Sequence, residues 1–130
     1  MFDWKKPTVQ MLGRWQPWHP GHQELFKRCI LKTGQVIIQV RDVNNSSGGI
    51  NQDDNPFEWD EVCKNIEDWL NQDGYIRGVD YEIMLVPNIT NISYGRGVGY
   101  AFEEETFDES ITSISATKIR KKMREDGNLK

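Results

Sequence analysis

Three short apolar runs, separated by two stretches of helical periodicity, restrict this chain more than any other feature. Thr8 to Leu12, Gln35 to Val40 and Tyr81 to Val86 each read as a strand. Gln35 to Val40 is β-branched and mostly apolar, as suits a buried parallel strand. Between the runs, Gln23 to Thr33 places Leu25, Phe26, Cys29 and Ile30 at amphipathic-helix spacing, and Gly34 follows as a residue that can end the helix. Phe57 to Leu70 repeats the pattern with Phe57, Val62, Ile66, Trp69 and Leu70, after Pro56 as a natural start. Strand, helix, strand, helix, strand implies βαβ units. The expected fold is α/β, three layers (α/β/α) around a central parallel sheet, in one domain spanning residues 1–130. A last helix is expected from Ser115 to about Met123, and Val98 to Phe102 is a candidate short strand.

Right-handed crossovers bring the carboxyl ends of parallel strands to one edge. The loops Gly13–Pro20, Arg41–Pro56 and Pro87–Gly97 then leave from that edge. Open α/β sheets bind ligands there, at the switch point of strand order. The 42–56 loop is long and polar, as binding loops often are.

Composition narrows the partners. A net charge of −4 and an isoelectric point near 5.2 argue against a general nucleic-acid or membrane-surface binder, although Lys118 to Arg124 forms a local basic cluster. A mean hydropathy of −0.69 and the lack of a long apolar run argue against a transmembrane helix. The first residues hold no apolar leader core, so a cytoplasmic protein is expected. Cys29 and Cys63, far apart and each in a helical pattern, read as reduced, partly buried thiols.

The stretch Gly13-Arg14-Trp15-Gln16-Pro17-Trp18-His19-Pro20-Gly21-His22 joins the first strand to the first helix. Gly13 allows a sharp turn and close approach of backbone to a ligand. A helix start offers unpaired N–H groups and the positive end of a dipole, which suits phosphate. His19 and His22 can add imidazole donors to the same anion, or serve as a turn residue and a helix cap. With only two histidines in the chain and no third ligand at a recognisable spacing, no metal site from protein side chains is expected. Far downstream, Ile114-Ser115-Ala116-Thr117-Lys118-Ile119-Arg120 reads as a second phosphate clamp. Ser115 is a candidate N-cap, and Lys118 in the first turn opposes the dipole unless an anion binds there. Arg120, three residues after Thr117, shares its face. Trp15 and Trp18 are candidate lids or stacking platforms, or core. Tyr94, Gly95 and Arg96 sit in a loop suited to reading a base edge.

Together these residues resemble the HxGH-motif nucleotidylyltransferase superfamily. His19-Pro20-Gly21-His22 fits HxGH in full, and Ile114 to Arg120 fits the ISxTxxR-type motif in full, in the right order and almost a domain apart. The opening Gly-Arg-Trp-Gln-Pro-Trp and Asn55-Pro56-Phe57 look like nicotinamide mononucleotide adenylyltransferases; the short chain and Ile-Ser-Ala-Thr-Lys-Ile look more like glycerol-3-phosphate cytidylyltransferase.

The resemblance implies a Rossmann-like nucleotidyltransferase fold. It also implies transfer of a nucleotidyl group from ATP or CTP to a phosphorylated small-molecule acceptor, with release of pyrophosphate. By the same resemblance His19, His22 and Arg120 are catalytic. Gly13, Arg14, Trp15, Gly21, Tyr94, Gly95, Arg96, Ser115, Thr117 and Lys118 bind nucleotide or phosphate; Trp18 and Arg41 face the acceptor. Magnesium accompanies the nucleotide, and a homodimer is expected by analogy. The family's lysine in the loop after the second strand has no counterpart: Asp42 to Glu61 holds no Lys or Arg. Arg41 is the candidate in its place, with Lys5 and Lys6 as alternatives. That departure keeps open a non-catalytic nucleotide sensor of the same fold.

Overall fold

The computed structural model describes residues 1–43, 56–95, 101–103 and 116–125; in the last stretch it describes the backbone and the side chains of Ile119, Lys121, Lys122, Met123 and Glu125. The three apolar runs form a parallel sheet: β1 (Val9–Gly13), β2 (Val36–Arg41) and β3 (Tyr81–Val86), in the order β1-β2-β3. Register aligns Met11 with Ile38 and Ile38 with Ile83. Strand order follows chain order, so the described strands contain no reversal. The switch point expected from the loops does not lie among them.

Helix α1 (Pro20–Thr33) and helix α2 (Trp59–Gln72) supply the crossovers. Alternation along the strands decides which face they cover. Met11, Val36, Ile38, Val40, Tyr81 and Ile83 are buried and form one cluster with Phe26 and Cys29 of α1 and Val62, Ile66 and Leu70 of α2. The opposite face carries Gln10, Gln39 and Met84, where Gln10 donates to Gln39 and Met84 is 40% exposed. The described residues therefore account for two layers of the expected three. β2 is buried at alternate positions rather than throughout, because Gln39 and Arg41 occupy the second face.

Element ends follow local chemistry. Gly34 closes α1 at φ 83°, in the left-handed region, and its N–H donates to the Ile30 carbonyl at 2.8 Å. α1 starts three residues earlier than its apolar pattern, at Pro20, because His19 caps it. α2 starts at Trp59 rather than beside Pro56: Glu58 is its N-cap, paired with Glu61 in a capping box. The last helix, α3, spans Ala116–Glu125. Ala101 and Phe102 show no strand, and the rest of that candidate, 98–100, lies outside the described residues. Among the described residues no helix is long and apolar enough to cross a membrane.

Candidate phosphate-binding site

The β1–α1 connection is built around one close approach. A Cβ on Gly13 would meet the Trp15 ring at 2.9 Å, so the glycine first makes room for Trp15. Trp15 sits at φ 53°, a conformation rare for a bulky side chain, and its indole N–H donates to the Gln39 carbonyl at 3.1 Å. Gln16 is buried and clasps Phe57 twice: its amide donates to the Phe57 carbonyl at 3.0 Å, and its Oε1 accepts from the Phe57 N–H at 2.9 Å. That clasp fastens the loop after β1 to the approach to α2. Arg14 leaves β1 half-buried.

The two histidines then cap α1 together. His19 Nδ1 accepts from the Gly21 N–H at 3.0 Å, and His22 Nδ1 accepts from the His19 N–H at 3.2 Å. Their rings stack at 3.7 Å and 20°. An imidazole that accepts at Nδ1 carries its neutral-form proton on Nε2. Burial pushes His19 below its ordinary pKa. Burial, and then the neighbouring His19, push His22 down to about 3. Both rings are therefore neutral at pH 7, each with an Nε2–H that no described residue accepts. The capping and donor readings of the histidines are compatible, because they use different nitrogens.

Trp15 and Trp18 surround His22 rather than form a lid. Trp15 meets it edge-on at 4.7 Å and 86°, and Trp18 lies at 5.6 Å and 53°. Trp18 is 1% exposed and its N–H is held by Gln23, so it reaches an acceptor only as part of a wall. Of the readings open to Trp18, the structure shows core, at the wall of the cavity beside the cap. The Gly21 N–H, committed to His19, is likewise part of the cap.

A cavity of ≈ 330 Å³ opens beside this cap, between the Trp15–Pro20 loop, α2 and α3. His19 and Ile119 both line it, so one residue from each motif reaches the same walls. Ile119 and Met123, one helical turn apart, turn that face of α3 inward. Ser115 and Arg96 lie outside the described residues, and the backbone of Thr117, Lys118 and Arg120 is placed on the first turns of α3. Tyr94 is 58% exposed and stacks on Phe102 at 5.3 Å; Gly95 follows it at a bend.

Arg41 ends β2 at the carboxyl edge of the sheet. Its Nη2 donates to Asn88 Oδ1 at 2.8 Å, while its Nε is buried with no partner among the described residues. Lys6 stands at the opposite end: its Nζ lies 3.3 Å from where a Gly34 Cβ would be, beside the start of β2. Residues that precede β1 in a parallel sheet fall at the strands' amino edge, which removes Lys6 as a stand-in for the loop lysine. Among the described residues no group of three His, Cys, Asp or Glu side chains could hold a metal.

No protein-family model matches the chain. Nicotinamide-nucleotide adenylyltransferase of Methanococcus maripaludis strain C6 is 29% identical over 138 residues, covering 91% of this chain and 78% of that protein. Its counterpart in strain C5 is 29% identical over 133 residues, covering 87% and 75%. The similarity to these adenylyltransferases is consistent with the resemblance to the HxGH nucleotidylyltransferases. The α/β fold agrees with that similarity, and the two histidines that fit HxGH are the capping pair of α1. Sequence reasoning missed Gln16 and Gln23, both buried polar residues beside the histidines. Gln23 had a visible signal: it stands three residues before Phe26, on the apolar face of α1.

Proposed function

We propose that this chain transfers the adenylyl group of ATP to the phosphate of a nucleotide acceptor of the nicotinamide mononucleotide kind, releasing pyrophosphate. The observation that carries the reading is the histidine pair, a buried His19 and a half-buried His22, both neutral and fixed by the helix they cap, each with an Nε2–H to offer. The names of the relatives favour ATP over CTP and a nucleotide over a polyol phosphate.

The chemistry asks little of the protein beyond placement. An ionised acceptor phosphate oxygen attacks the α-phosphorus, the bond to the β-phosphate bridging oxygen breaks, and pyrophosphate leaves with that electron pair. No base is needed, and the two rings cannot accept at Nδ1 without breaking the cap. His19 and His22 donate to non-bridging phosphate oxygens as negative charge shifts, with the work of orientation done before the substrate arrives. The α3 start, with Ser115, Thr117, Lys118 and Arg120, holds the leaving pyrophosphate. Arg41, with one N–H lacking a partner among the described residues, takes the acceptor's phosphate. A magnesium ion carried on the triphosphate would supply charge neutralisation to the phosphates.

The test is pyrophosphate release with magnesium, crossing ATP and CTP with nicotinamide mononucleotide and polyol phosphates, for wild type and His22→Asn. Asn keeps an acceptor near the position of Nδ1 but has no Nε2–H. Release with ATP and the nucleotide acceptor, reduced roughly 10²–10³-fold in the variant, is expected. Binding of ATP without pyrophosphate release from any pair would support the sensor reading instead.

A further inference from the structure

We propose that Gln23 is a positioning residue: its carboxamide locks the Trp18 indole against the His22 ring and ties both to the far end of α2. Gln23 is 4% exposed, and both the oxygen and the nitrogen of its amide are hydrogen-bonded. Its Oε1 accepts from Trp18 Nε1–H at 2.8 Å. Its Nε2 donates to the Trp69 carbonyl at 2.9 Å and to Asp73 Oδ2 at 2.8 Å. Asp73 in turn meets Lys27, one turn further along α1, at 3.2 Å.

Two of these bonds solve structural problems. Trp69 lies in the last turn of α2, where carbonyls lack partners within the helix, so Gln23 caps that turn from outside. A buried indole N–H without an acceptor is costly, so the Gln23 oxygen decides how Trp18 sits. His22 depends on that choice. Its only described hydrogen bond, from the His19 N–H, is long at 3.2 Å. The direction of the imidazole is therefore set by the rings around it: Trp15, Trp18 and His19. A shift of Trp18 loosens one of those three walls and admits water to His22.

This inference rests on His22 as the phosphate donor, and its test separates the two ideas. The variants are Gln23→Met, which keeps shape and removes both the acceptor and the donors, and Trp18→Phe, which keeps a ring and removes the N–H. Because the chain holds only two histidines, the imidazole proton resonances can be followed one by one as pH is changed. In each variant the His22 midpoint should rise by about one unit or more as water reaches the ring. The kcat should fall roughly tenfold or more, with KM for ATP held within about twofold. The double variant should be no worse than the more impaired single one, since both act through one contact.

Folded variants with an unmoved His22 midpoint overturn the proposal, whether or not kcat falls, because the route through Trp18 is then absent. A midpoint that moves as stated in a protein with no transferase activity upholds the positioning and refutes the functional reading. If Gln23→Met does not fold, Trp18→Phe alone carries the same test.

Discussion

Mild acid should destabilise this protein before its carboxylates begin to protonate. His22 binds a proton at about pH 3 when folded, against 6.5 in an unfolded chain, because burial and then His19 oppose the charge. Between those two values the unfolded state holds a proton that the folded state refuses. Stability therefore falls as pH drops below 6.5, and the loss continues down to about pH 3. From pH 7 to pH 5 the His22 contribution is about 2 kcal/mol, at ~1.4 kcal/mol for each unit below 6.5. His19, also lowered by burial, acts in the same direction. Asp73, held low by Gln23 and then by Lys27, matters only below its ordinary 3.8 and stays outside this window. The assay is urea unfolding at pH 7 and pH 5 for wild type and His22→Asn. With an m-value of roughly 2 kcal/mol/M, the wild-type midpoint should drop by about 1 M or more. The variant, which has no ring to protonate at position 22, should lose about 1 M less than wild type. Equal drops in both proteins would show that His22 is not the half-buried neutral imidazole described above.

Gly13→Ala should cost about 1–3 kcal/mol, read as a lower urea midpoint at pH 7, because the new Cβ would stand 2.9 Å from the rigid Trp15 ring; an unchanged midpoint would refute that close packing. Arg41→Met should raise KM for the acceptor by roughly tenfold or more, the scale of one hydrogen bond to a charged group, and leave KM for ATP near wild type. An equal effect on both substrates in steady-state kinetics would remove Arg41 from the acceptor side.

The strand–helix alternation was readable because each element carries its own period. Val36, Ile38 and Val40 alternate in burial, and Phe26 and Cys29 recur on one helix face. The histidine motif was readable as a unit, yet the start of α1 was not, because histidine is not among the usual capping residues. Gln16 and Gln23 act on Phe57, Trp69 and Asp73, which lie 41 to 50 positions away. No local pattern announces such partners; they exist only once α2 has folded back across α1. The role of Gly13 was read as access for a ligand, whereas the neighbouring Trp15 fills that space. Side-chain crowding of that kind depends on the φ of Trp15, which the order of residues does not reveal.

If the histidine pair recognises phosphate as proposed, its use as the cap of α1 sets folding and anion recognition against each other at one position. Asp, Ser or Asn at residue 19 would be a stronger cap and would suit the helix dipole. An aspartate there would also face arriving phosphate with a like charge and would have no proton to offer. The change that best reinforces the helix is thus the one that spoils its use. On the proposed function, the opening of α1 is held at a compromise, less stable than it could be, by the phosphate that would dock against it.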